Sequence, residues 1–235
     1  SSALVVPSRR LEKIALGAWQ QPRGRVRLIP NGIDTAAYAK KPRPDSLPRV
    51  IKRKDEKWVG TLAGLRAVKN LPRLVRAFSG LPEEWQLVIL GEGPEREAIR
   101  AEAMRLDVPH RVHLPGFVAN PADAVGLFDI FALSSESEQF PISVVEAMAA
   151  GLPVASPDVG DVAMMISEDT RRFIARAGDE GELARCIADL AADSTLRQSL
   201  GQANRELAVQ KYDEKTMISS YRSVYALALR QPSFP

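Results

Sequence analysis

The sequence predicts an α/β fold, a parallel sheet with helices on both faces followed by a helical C-terminal tail, and three observations carry that prediction. From residue 57 onward, apolar runs of four to six residues alternate with amphipathic stretches of about ten or more. Glycine, proline and asparagine sit at the joins. After residue 180 only helical spacing remains. Parallel neighbours need a long crossover, so this alternation implies βαβ units. Such sheets are covered on both faces and bind ligands at the carboxyl ends of their strands.

Taken in order, residues 1–34 hold a strand ending at Val6, a helix around Leu11 to Trp19 and a strand Val26–Ile29. The turn Pro30-Asn31-Gly32 closes them. Residues 35–56 form a basic, proline-containing loop. The strand Lys57–Leu62 opens the main alternation. A helix from Asn70 to Phe78 follows, with Leu71, Leu74, Val75 and Phe78 on one face. Gln86–Leu90 is a strand closed by Gly91 and Gly93, and Pro94 starts a helix to Leu106. Arg111–Leu114 and Ile130–Leu133 are strands. Pro141–Ala150 is a helix that leads into the strand Pro153–Ser156, and Arg172–Ala175 makes a last strand. From Glu180 to Leu229 the pattern is helical, broken near Asp193-Ser194 and Tyr212-Asp213, with Ser194 and Asp213 as N-caps. The compact unit is therefore 57–210, with 1–34 as a hinge piece and 211–235 as a closing helix.

Composition excludes more than it assigns. The 235 residues, 45% hydrophobic and 26% charged, provide an ordinary globular core. A net charge of +3 does not call for nucleic acid. The excess cations cluster at Lys40, Lys41, Arg43, Arg49, Lys52, Arg53, Lys54 and Lys57, which reads as a solvated, mobile loop or a weak contact with an anionic membrane. The single Cys186 cannot form an internal disulfide and lies in a helical pattern, as a small core residue in a reducing compartment would. No apolar run approaches eighteen residues. His110 and His113 have no nucleophile motif nearby and read as structural. No metal-ligand spacing and no Asp-x-Asp pair are present.

The segment from Glu138 to Val154 carries the most chemistry. Pro141 suits a first helical position, which leaves the amides of Ile142 and Ser143 open to an anion. Glu146 follows at a rise of roughly 7–8 Å, near the reach from a pyrophosphate to the far side of a ribose. Glu138 stands on the preceding loop. A nucleotide-sugar fits that layout, and so do two surface glutamates that stabilise a helix dipole. A second cluster runs from Gly60 to Asn70, where Arg66 and Lys69 could balance a departing diphosphate without a metal. Gly91-Glu92-Gly93-Pro94 lacks the third glycine of a dinucleotide fingerprint and reads as a tight turn.

These residues in this order resemble a known family. Glu138 and Glu146 resemble the Glu-x7-Glu motif of retaining glycosyltransferases of family 4 (glycosyl transferases group 1), and Glu146 to Val154 resembles its most recognisable stretch. Pro30-Asn31-Gly32-Ile33-Asp34, Val68-Lys69-Asn70, Leu90 to Pro94 and Leu114 to Val118 resemble four further family segments. The resemblance covers nearly the whole chain. It implies the Rossmann-like C-terminal half of a GT-B enzyme, metal-independent, with the end of an acceptor domain in 1–34 and a helix in 211–235 crossing back toward it.

Carried over by position, Glu138 and Lys69 would serve catalysis, with Arg66 as a substitute for the arginine usual at position 64. Glu146, Phe117, Val118, Ile142, Ser143, Phe140 and Gly60 would hold the donor, with no cofactor beyond that UDP- or GDP-linked sugar. A missing domain would bind a glycan or lipid acceptor. The protein would be cytoplasmic, or peripheral at the inner face of the membrane. Three positions depart from the family pattern: Gly64 stands where an arginine is usual, Pro141 where glycine is frequent, and Asp161 follows Gly160 in place of a second glycine. A nucleotide-sugar-binding module without activity and a GT-B sugar-nucleotide epimerase are the alternatives.

Overall fold

A computed structural model describes residues 3–231 and residue 234. Ser1 and Ser2, where the first predicted segment begins, lie outside the described residues. Strand β1 (Leu4–Val6), helix α1 (Arg9–Leu16) and strand β2 (Val26–Leu28) make a small unit with parallel β1–β2 pairing. Its own core is Val6, Ala15 and Val26.

The main sheet contains β3 (Lys57–Leu62), β4 (Trp85–Leu90), β5 (Val112–Gly116), β6 (Ile130–Ala132), β7 (Val154–Pro157) and β8 (Ile174–Ala175). Their order is β5-β4-β3-β6-β7-β8, all parallel. The chain builds outward from β3 to β5 and then returns to the other side of β3. The reversal between β3 and β6 opens a crevice at the carboxyl ends of the strands. The predicted α/β class and its parallel sheet are therefore what the chain forms.

The helices are α2 (Leu71–Ser79), α3 (Arg96–Arg105), α4 (Ile142–Ala149), α5 (Val162–Met165), α6 (Glu180–Ala192), α7 (Ser194–Lys211) and α8 (Glu214–Leu229). Strand periodicity sends alternate residues to opposite faces. Trp58, Val88 and Phe131 meet Val144, Val145 and Met148 of α4. Val59, Leu87, Ile89 and Ile130 meet Leu74, Phe78, Ile99, Leu183 and Ile187 of α2, α3 and α6. Cys186 joins that second face, where burial pushes its thiol up to about 11.

Several boundaries differ from the sequence expectation for identifiable reasons. Helix α3 starts at Arg96 because Pro94 sits in a turn closed by the Glu95 amide on the Leu65 carbonyl at 3.0 Å. Asp193, not Ser194, caps α7, since its carboxylate reaches the Leu196 amide. Only Ile174 and Ala175 form the last strand, because Asp169–Phe173 winds into a 3-10 turn that buries Phe173. Helix α5 was not anticipated, and four residues are too few to show a period.

The basic stretch is also more ordered than a solvated loop. Tyr38 and Leu47 are buried, and Lys52 is drawn inward to Asp129 at 2.6 Å. Among the described residues no helix is long and apolar enough to cross a membrane.

Candidate functional site

A cavity of about 680 Å³ opens at the carboxyl ends of β3 and β4, beside the N-terminus of α4. Its floor depends on two glycines. Gly91 (φ +139°) and Gly93 (φ +154°) let the loop after β4 press against the loop after β3. A Cβ at Gly91 would stand 1.9 Å from the Ala63 carbonyl oxygen, and one at Gly93 2.4 Å from that of Leu65. The glycine pair is thus a backbone contact, in keeping with the predicted turn.

One wall is the 3-10 turn Ala67–Lys69 joined to the loop after β6. The Ser134 hydroxyl donates to the Lys69 carbonyl at 2.9 Å, and the Glu136 amide to that of Val68 at 2.9 Å. This pairing sets Lys69 Nζ 2.5 Å from Glu138 Oε1, and the Ser135 hydroxyl donates to the same oxygen at 2.7 Å. Both members of the ion pair are largely shielded, with side chains 18% and 10% exposed. Among the described residues Glu138 Oε2 meets no protein donor.

The opposite wall is the start of α4. Pro141 is its N-cap (φ −69°, ψ 110°), one place earlier than the first helical position expected for it. Ile142 and Ser143 open the helix, and among the described residues neither amide meets an acceptor within the chain. These two donors at a positive helix end are suited to an anion. In the second turn Glu146 is 8% exposed and accepts from the Tyr38 hydroxyl at 2.9 Å through Oε1. Burial raises the Glu146 carboxyl above its usual range, and the Tyr38 bond opposes that rise. Oε2 has no protein partner among the described residues and is not sealed from solvent.

The rim carries an aromatic. Phe117, just past β5, is 73% exposed and lines the cavity beside Val118. Phe140 lines it too and stacks edge-to-face on Tyr212, with centroids 5.6 Å apart. Arg66 is exposed at the mouth, and among the described residues it forms no ion pair. Its guanidinium folds back over Gly64, with Nε 3.4 Å from where a Cβ at that position would stand.

The structure brings together nine of the ten predicted site residues: Glu138, Lys69, Arg66, Glu146, Phe117, Val118, Ile142, Ser143 and Phe140. Gly60 is the exception. It lies inside β3, where a Cβ would come 2.1 Å from the Phe128 ring, so its small size serves packing and not the cavity. Asp161 is also turned away. Its carboxylate accepts from the amides of Arg9 and Arg10 at 2.5 and 3.0 Å, capping α1 from the main domain. Sequence reasoning missed Tyr38 and Ser135. The only signal for Tyr38 was an aromatic within an otherwise basic stretch. Among the described residues no group of three or more His, Cys, Asp or Glu could hold a metal ion.

Comparison with known proteins adds to this geometry. The model of the family described as glycosyl transferases group 1 matches residues 43–207. The chain is 26% identical over 212 residues to the N-acetyl-alpha-D-glucosaminyl L-malate synthase of Bacillus anthracis, covering 89% of this chain and 56% of that protein. It is 32% identical over 206 residues to the phosphatidyl-myo-inositol mannosyltransferase of Mycobacterium leprae, covering 84% and 52%. Among solved structures, Anabaena HepE in complex with UDP has the same fold, with a TM-score of 0.84 at 21% identity over 97% of this chain and 64% of that one. The chain spans about half the length of the curated relatives it matches.

Proposed function

The chain belongs to the glycosyl transferases group 1, and on that premise we propose that it is the donor-binding part of a retaining, metal-independent glycosyltransferase. The donor is a UDP- or GDP-linked sugar, and the acceptor, a glycan, lipid or small molecule, is bound by the rest of the protein. The observation that carries this reading is the convergence on one cavity of a cation, two free helix-end amides and two carboxylates that each keep one open oxygen.

The roles follow from charge. The ribose hydroxyls donate to Glu146 Oε2, and the distal phosphate sits on the amides of Ile142 and Ser143. Lys69 has three donors and spends one on Glu138, so the others can meet the diphosphate. Glu138 Oε2 accepts from the sugar. Phe117 offers its exposed face to the base. As the glycosidic bond breaks, negative charge gathers on the diphosphate, where Lys69, Arg66 and the positive end of α4 stabilise it. Arg66 takes the place of an arginine at 64, as its guanidinium above Gly64 supports. Residues 1–34 are then the end of the acceptor domain, and α8 returns toward it. Lys40, Lys41 and Lys57, which form no ion pair among the described residues, suit a peripheral contact with an anionic membrane.

Thermal stabilisation by UDP, GDP and their sugars tests the reading, since a ligand of the folded state raises the melting temperature by mass action. A nucleoside diphosphate is expected to raise it in the unaltered chain and far less in Glu146→Ala. Equal stabilisation of both would remove Glu146 from the ribose. Transfer by the full-length protein tests the catalytic half.

A further inference from the structure

Glu146 is not held in place by its own helix. The donor on its Oε1 comes from Tyr38, 108 positions away, and both side chains are buried. Two features set this bond apart from ordinary packing. Burial, and then the Glu146 charge, push the Tyr38 phenol above its ordinary range, so it remains a proton donor to the carboxylate. The second Glu146 oxygen is left open on the cavity wall.

Tyr38 also rides on a segment that is itself pinned. It belongs to the 3-10 turn Thr35–Ala39, capped by the Asp34 carboxylate on the amides of Ala36 and Ala37. The Thr35 hydroxyl donates to Asp213 at 2.5 Å, and Ile33 bridges to Asp213 in a one-residue parallel pair.

We propose that Tyr38 is a positioning residue for nucleotide recognition: it holds Glu146 in one orientation with the open oxygen toward the ribose hydroxyls, and it ties that carboxylate to the segment joining the small sheet to the main one. The proposal rests on the reading of Glu146 as the ribose acceptor. A glutamate side chain left to rotate would lose that freedom on binding, so a fixed one binds hydroxyls more tightly. Phenylalanine at 38 would keep the ring and remove only the hydroxyl.

The test is calorimetric titration of UDP and 2′,3′-dideoxy-UDP, and of the matching GDP pair, into the chain and into Tyr38→Phe. The ratio of the two dissociation constants reads ribose recognition and is insensitive to general loosening of the cavity. For whichever base binds, the unaltered chain is expected to favour the ribose form by about tenfold. Tyr38→Phe is expected to cut that preference to roughly twofold while leaving the dideoxy affinity nearly unchanged. A preference that survives Tyr38→Phe overturns the proposal and leaves the ribose reading standing. No preference in the unaltered chain overturns the ribose reading, and the proposal with it. Equal weakening of both nucleotides assigns Tyr38 a structural role only.

Discussion

The loop that presents Glu138 and the helix that presents Glu146 are eight residues apart in sequence and treat a carboxylate in different ways. Glu138 has a cation and a hydroxyl on one oxygen. Glu146 has a single neutral phenol and deeper burial, and its carboxyl is raised. A charged partner fixes charge where charge must be balanced. A neutral partner in a largely buried wall leaves a carboxylate in need of more donors, which suits the recognition of uncharged hydroxyls. In the proposed function the first arrangement lies near bond breaking, and the second near a part of the ligand that does not react.

Substitutions can break that division or sharpen it. In the full-length protein Glu138→Gln is expected to slow transfer by on the order of 100- to 1000-fold, the scale seen when one transition-state contact is lost. Nucleoside diphosphate affinity should shift by only about twofold. If Glu138→Gln weakened nucleotide binding as much as it slowed transfer, the division would collapse. Glu146→Ala is expected to do the reverse, weakening nucleotide binding by about 10- to 100-fold in calorimetry, as for hydrogen bonds to a charged group. Transfer at saturating donor should then change little.

Gly60→Ala acts on neither carboxylate and serves as the control. Overpacking against Phe128 should cost about 1–3 kcal/mol in denaturant unfolding. Nucleotide affinity of the folded fraction should be preserved.

Glu146 also carries a pH dependence. The folded Glu146 carboxyl is raised above its unfolded value, so its contribution to stability is present below the ordinary glutamate range. That contribution is lost as pH rises through the raised value. Glu146→Gln should therefore melt higher than the unaltered chain at neutral pH and converge with it on acidification. Ribose hydroxyls favour the ionised form, so preference for ribose over dideoxyribose should fade as pH falls through the same range.

The part of this site that was legible in the sequence is the part built from neighbours. Pro141, Ile142, Ser143 and Glu146 share one helix whose start and Gly151 stop are local signals. The β-rich runs of β3 and β4 gave the sheet, and glycines gave the turn between its loops. Tyr38 on Glu146 was not legible, because a hydrogen bond spanning 108 positions leaves no local pattern. The sequence places Gly60 in the strand Lys57–Leu62 and among the residues that would hold the donor. The Phe128 ring that requires a glycine there comes from another strand connection. The role of Asp161 was hidden for the same reason, since the amides it serves are about 150 residues upstream.

Asp161 has a mechanical consequence. Helix α1 has its own cap in Ser8, whose hydroxyl takes the Leu11 amide. Asp161 adds a second cap from the main domain. A borrowed cap is satisfied only while the two bodies stay together, so it acts as a latch. Caps are worth about 1 kcal/mol, under twice RT, and Asp161→Ala should cost that much in unfolding experiments. A latch of that depth is a small bias toward the docked position, and it works beside the Ile33 and Thr35 contacts to Asp213 that hold the following segment.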